Sequence, residues 1–289
     1  MKKYDIHSVE LPCGETYAYR KAGNGTKTVI LIHGNMSSSA HWQTVIEALE
    51  DDYTVYAPDL RGFGDSTYNS GFDSLGELAM DVMQFADALG IGECCLCGWS
   101  TGGGIAMEVA VSRPKQVKGL ILLSSVPPTG YPMFKKGPDM QPILTEPLTT
   151  KEEVAADPVQ VLPALTALKT GDRATMKFIW NMAIYNLNKP SDDDFEAYLD
   201  GMMGQRNLVD VDYSLLTFNI VGQLAEIECP ITLLHGEEDL VVPLAWVEAS
   251  LPLFEGRAEL ITFANAGHSL ITDVPAEFFA ALKAALLKE

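Results

Sequence analysis

Hydrophobic positions along this chain follow two rhythms. Short runs in which nearly every residue is apolar recur at "TVILIHG" (28–34), "YTVYAPD" (53–59), "ECCLCGW" (93–99), "KGLILLSS" (118–125), "ITLLHG" (231–236) and "AELITFAN" (258–265). Near-continuous apolarity over so short a run is what a parallel sheet covered on both faces demands of its strands. Between them the apolar positions fall on a helical period. Ser74 and Glu77 have capping-box spacing, and Leu75, Leu78, Ala79, Val82, Phe85, Ala86 and Leu89 mark one face of the helix that follows. Pro275 suits the first turn of a last helix, and Tyr4 to Lys21 alternates as an antiparallel hairpin does. Strands alternating with helices predict an α/β fold.

One segment breaks the alternation. From about Pro127 to Gly222 the pattern predicts no strand but several helices, most clearly "ATMKFIWNMAIYNL" and "DDDFEAYLDGMMGQ". Residues 1–126 and 223–289 are therefore expected to form the sheet-bearing core, and 127–222 a helical cap inserted between two strands. That insert holds six of the eleven methionines, Met133, Met140, Met176, Met182, Met202 and Met203. Most serve helix-to-helix packing, and the composition also suits an adaptable apolar lid over a site.

Charge and composition narrow the partners. The net charge of −19 opposes binding to nucleic acid or anionic membrane surfaces, both of which need clustered Lys and Arg. No apolar run has the length of a membrane span, and the first residues lack the apolar core of a secretory signal. Five cysteines, an odd number, fit thiols in a reducing compartment, so a cytoplasmic location is expected. Cys94 and Cys97 are spaced like half a metal site, but both fall in an apolar strand and read as core.

Chemistry enters at "CLCGWSTGGGIA" (95–106), where a buried strand ends in Gly98-Trp99-Ser100-Thr101-Gly102 and a helix begins. A serine on so tight a strand-to-helix turn is pushed out of the sheet, and the glycines leave room for the turn. Its hydroxyl needs a base. Of the five histidines, His268 in "NAGHSL" lies on a loop after the last strand. His33 and His235 each precede a glycine at a strand end and read as turn residues, and His7 and His41 have no supporting context. In "LLHGEEDLVVP", Asp239 is placed to hold the base, with Glu237 and Glu238 as solvated loop charges. The order Ser100, Asp239, His268 is the nucleophile–acid–base order of α/β-hydrolases. The backbone N–H groups of Thr101 and Asn35 are the expected oxyanion donors. "DLRGFGDS" (59–66) is a tight Gly-rich loop without the Lys-Ser/Thr of a phosphate cradle.

With "HGN", "DLRGFGDS", "GWSTGG", "GEEDLVVP" and "NAGHS" in this order, the chain resembles the α/β-hydrolase superfamily over nearly all its length outside the insert. The resemblance implies a mostly parallel eight-stranded sheet flanked by helices, with a cap after its sixth strand. Trp99, "HGNMSSSAHW" and "GYPMFKKG" look like bacterial intracellular polyhydroxybutyrate depolymerases and related hydroxyacid-ester hydrolases, which implies a substrate contact for Trp99. Ser100 departs from the aspartate nucleophile of haloalkane dehalogenases and epoxide hydrolases. The expected activity is hydrolysis of a small-molecule carboxylic ester through an acyl-enzyme, with no metal or organic cofactor. Short-chain esters lead, 3-hydroxybutyrate oligomers follow, and Lys135 and Lys136 are candidates for attracting an oligomer's carboxylate. Two rivals share the scaffold: a small-molecule receptor without turnover, and a C–C bond hydrolase or thioesterase using the same residues.

Overall fold

Each apolar run becomes a strand. The structure, a computed structural model, describes residues 1–288. Its main sheet holds β1 (Ile6–Glu10), β2 (Thr16–Ala22), β3 (Lys27–Ile32), β4 (Tyr53–Pro58), β5 (Cys94–Trp99) and β6 (Val117–Leu123). After the insert come β9 (Ile231–Gly236) and β10 (Ala258–Phe263), and the order across the sheet is β1-β2-β4-β3-β5-β6-β9-β10. β2 is antiparallel to both its neighbours and the remaining pairings are parallel, so the α/β-hydrolase architecture expected from the motifs is the one observed. Because these strands run together, the loops after β3, β5, β6, β9 and β10 converge on one edge, where ligands bind in open α/β sheets.

Alternate residues of the central strands feed two cores. Ile30, Ile32, Leu96, Leu120 and Leu122 face one side. There they pack with α2 (Leu75–Ala88) and α3 (Thr101–Ser112). Val29, Leu31, Cys95, Cys97, Ile121 and Leu123 face the other, against α1 (Gln43–Leu49) and α11 (Pro275–Leu286). The cysteine spacing at Cys94 and Cys97 thus belongs to a strand buried along its whole length. Ser74 caps α2 by accepting from the Glu77 N–H, the bond its spacing predicts.

The segment between β6 and β9 is not wholly helical. Phe134–Lys136 and Pro142–Pro147 form β7 and β8, an antiparallel pair separate from the main sheet. This corrects the expectation of a strandless insert. The pair escapes sequence patterning because most of its positions are exposed and prolines bound β8, so no apolar alternation is required of it. The rest is α4 (Lys151–Ala155), α5 (Leu162–Thr170), α6 (Arg173–Ala183), α7 (Asp192–Met203) and α8 (Leu208–Thr217). Met176, Trp180, Phe195 and Tyr198 from these helices are buried with Trp42 and Trp99 of the core. Beyond the insert lie α9 (Leu244–Ser250) and α10 (Leu270–Asp273). Among the described residues, no helix is long and apolar enough to cross a membrane.

Candidate active site

Ser100 leaves the end of β5 with φ 56° and ψ −120°, a conformation costly for any residue with a Cβ and one that persists only where its surroundings enforce it. Three bonds hold it: its N–H donates to the Leu123 carbonyl at 2.9 Å, and its carbonyl accepts from Gly103 N–H at 2.9 Å and from Val126 N–H at 3.2 Å. The glycines around it are required by space. A Cβ on Gly98 would lie 2.2 Å from the Gly102 carbonyl oxygen, and one on Gly102 2.2 Å from that of Ile32. Gly34 faces the serine itself, with room for a Cβ only 3.0 Å from the Ser100 Cβ. Although Ser100 occupies the N-cap position of α3, its hydroxyl makes no capping bond.

The loops after β9 and β10 meet at a histidine–carboxylate pair. His268 Nδ1 lies 2.8 Å from Asp239 Oδ2, and Asp239 Oδ1 accepts the N–H groups of Val241 and Val242, each at 2.8 Å. Burial pushes the Asp239 carboxyl up, but His268, His235 and these backbone donors outweigh it and hold the group below the ordinary carboxylate range. An ionised Asp239 fixes the proton on Nδ1 of His268 and leaves Nε2 as the basic nitrogen. His268 and Ser100 line one cavity of about 300 Å³, together with Asn35 and Thr101.

Trp99 is placed differently from its neighbours. It is 3% exposed and does not line that cavity; its indole N–H donates to the His268 carbonyl at 3.0 Å, so it buttresses the histidine loop from behind. His33 is locked as a turn residue, with Nδ1 2.8 Å from the Gly34 carbonyl and Nε2 accepting from Leu60 N–H at 3.0 Å. That bond ties the Asn35 loop to the "DLRGFGDS" loop, where Asp59 also accepts the N–H groups of Ser39 and Asp65. His235 Nε2 sits 2.8 Å from the Val242 carbonyl and steadies the Asp239 loop. Buried His41 stacks on Tyr198 at 4.3 Å, its basicity pushed down to about 3 by burial. Lys135 and Lys136 are engaged by the insert's own acids, at 3.0 Å from Glu153 and 2.8 Å from Asp157.

The far wall holds one residue that sequence patterning missed. The insert contributes Met133, Ile179, Ile184 and Leu215 to the cavity, and among them one carboxylate, Asp212 of α8. Asn35 Nδ2 donates to Asp212 Oδ1 at 2.9 Å, while Asn35 Oδ1 accepts from Met36 N–H at 2.9 Å and from Gln205 Nε2 at 2.8 Å. The signal was split between positions 177 residues apart, so no local motif carried it. Among the described residues, no cluster of three or more His, Cys, Asp or Glu side chains is arranged to hold a metal ion.

A mostly parallel sheet with a serine elbow at the carboxyl end of a central strand is the architecture of α/β-hydrolases. The chain belongs to the alpha/beta hydrolase family, whose model matches residues 29–282. It is 28% identical over 264 residues to a pimeloyl-[acyl-carrier protein] methyl ester esterase of Nitrosomonas europaea, covering 89% of this chain and 94% of that protein. Among solved structures it is similar to an esterase from a Rhodococcus species, with a TM-score of 0.73, 22% identity and coverage of 96% of this chain and 97% of that one. A thermophilic esterase from Thermogutta terrifontis gives 0.72, 22% identity and 98% of both chains. At these identities the two structures carry the fold alone.

Proposed function

We propose that the protein is a serine hydrolase of short-chain carboxylic esters. The observation that carries this is the strained Ser100, its hydroxyl unused for capping, on the same cavity as a histidine oriented by a buried, ionised aspartate. Ser100 Oγ attacks the ester carbonyl carbon as its proton passes to His268 Nε2. The N–H groups of Thr101 and Asn35 receive the developing oxyanion, and Asp239 stabilises the imidazolium. The alcohol leaves with the proton from His268. Water, activated by the same nitrogen, then attacks the acyl carbon and releases the acid and the serine. The pimeloyl-[acyl-carrier protein] methyl ester esterase relative supports this reaction class.

The cavity's size supports a short acyl chain, since about 300 Å³ is at the lower end for ligand pockets. In this reading the substrates extend to 3-hydroxybutyrate esters, as the resemblance of "GYPMFKKG" and the Trp99 motif implied. The two lysines give no support to that extension, because Glu153 and Asp157 already neutralise them. The odd cysteine count supports a reducing, cytoplasmic setting.

The test is turnover of p-nitrophenyl butyrate by Ser100→Ala, His268→Ala and the double variant. Each single change is expected to lower kcat by about 10³-fold or more, with the double variant little worse, because the residues act as a unit. Near-normal turnover by a folded Ser100→Ala protein contradicts the proposal.

A further inference from the structure

Asp212 presents its carboxyl to the cavity that holds Ser100 and His268. Asn35 holds its Oδ1, and among the described residues no protein group donates to its Oδ2. An oxygen open to a ligand cavity is free to pair with a group of the ligand. The residue lies beside other polar groups on an otherwise largely apolar wall. Tyr131 and Gln160 line the same cavity, with Gln160 Nε2 3.5 Å from the Tyr131 hydroxyl. Its link to the reaction centre is direct: the residue expected to give its backbone N–H to the oxyanion, Asn35, grips Asp212 with its side chain.

Resting on the ester-hydrolase reading, we infer that Asp212 is a specificity-determining residue that binds a hydroxyl on the acyl chain near the scissile carbonyl. The site then prefers hydroxyacyl esters to plain acyl esters. One asparagine serves both ends of the contact, so a hydroxyl a few bonds from the carbonyl reaches Asp212 while the carbonyl oxygen sits at the Asn35 backbone. Burial, with the charge of Asp157 adding to it, pushes Asp212 up to about 8, so near neutral pH the carboxyl is mostly protonated. In that form it can donate to a hydroxyl oxygen, and when ionised it can accept from the hydroxyl proton. A substrate carboxylate meets a like charge once Asp212 ionises, above about pH 8. An ammonium would have to shed its water into a cavity whose other walls are largely apolar.

The test compares kcat/KM for methyl 3-hydroxybutyrate, methyl butyrate and monomethyl succinate, which share a leaving group, by pH-stat at neutral pH and at about pH 9. Wild type is expected to prefer the hydroxyacyl ester over butyrate by about tenfold, the scale of one buried hydrogen bond. Asp212→Leu should bring that ratio to about parity, since the ratio cancels any loss common to both esters. Asp212→Asn keeps a hydrogen-bonding group of the same shape. It should retain the hydroxyl preference at neutral pH and, at about pH 9 where Asp212 carries its charge, raise the relative rate on monomethyl succinate by about tenfold, because the like charge is gone. A hydroxyl preference absent from wild type, or surviving in Asp212→Leu, overturns the inference while the ester reading stands. If Asp212→Leu does not fold, Asp212→Asn decides, and no gain on monomethyl succinate overturns the inference. Failure of wild type to cleave any of the three esters removes the ester reading and the inference with it.

Discussion

Asp239, on the sheet side of the cavity, and Asp212, on the insert side, are two deep carboxyls whose surroundings push them in opposite directions. Burial opposes ionisation of both. Asp239 overcomes it with two backbone N–H donors and two imidazoles. Asp212 has one amide and a neighbouring acid, and is raised to about 8. What separates them is therefore the supply of donors and not depth. The difference divides the labour: the sheet edge keeps a fixed negative charge to orient a base, whereas the insert presents a mostly neutral carboxyl suited to a polar ligand group.

Removing the charge on the sheet side is expected to have the larger effect. Asp239→Asn leaves the shape intact but can no longer hold His268 in the required tautomer. It should lower kcat on p-nitrophenyl butyrate by about 10³- to 10⁴-fold in steady-state assays. A loss below about tenfold means that Asp239 does not orient the base.

A second contrast concerns backbone space. At Gly102, in the first turn of α3 against the end of β3, an added Cβ would lie 2.2 Å from a carbonyl oxygen, whereas at Gly171, past the end of α5 in the insert, it would meet nothing within 4 Å. Gly102→Ala should therefore lose about 3 kcal/mol or more in urea melts. Gly171→Ala should lose only about 1 kcal/mol, the cost of its left-handed φ of 70°. Equal losses erase the distinction between a packed sheet edge and an open insert terminus.

The last contrast is in the pH dependence of stability. Asp212 has a folded value above its unfolded one, so from about pH 4 to about pH 8 the native state holds the extra proton and stability falls as pH rises. Asp239 has the opposite sign: its contribution is present above the unfolded carboxylate value and is lost as pH falls through the lowered folded one. The groups facing Asp212 are Asp157, Tyr131 (itself pushed up to about 12 by burial and by Asp212 and Asp239) and the shared cavity's His268. The Tm advantage of Asp212→Asn over wild type should thus grow steadily from about pH 5 to about pH 8 in thermal melts. A constant difference would mean that Asp212 ionises normally.

The same two regions differ in how far the sequence disclosed them. Strands of the main sheet were legible because burial on both faces leaves no polar position to confuse the period. Ser100, Asp239 and His268 were legible because each sits at a strand end inside a short motif. Trp99 belonged to such a motif too, yet its indole turns behind His268 and not into the cavity, a direction spacing does not encode. β7 and β8 were hidden by exposed positions and prolines. Asp212 was hidden because an aspartate on a helix resembles any solvated acid until the fold brings Asn35 to it.

The central claim is that Ser100 is the nucleophile, and the most direct measurement is where a fluorophosphonate lands. Peptide mass spectrometry of the treated wild-type protein should show one adduct, on the peptide holding Ser100, with ester turnover lost in proportion. His268→Ala should label far more slowly, because the base that activates the serine is gone. Stoichiometric modification at any other residue, or full turnover by a protein completely labelled at Ser100, would contradict the account.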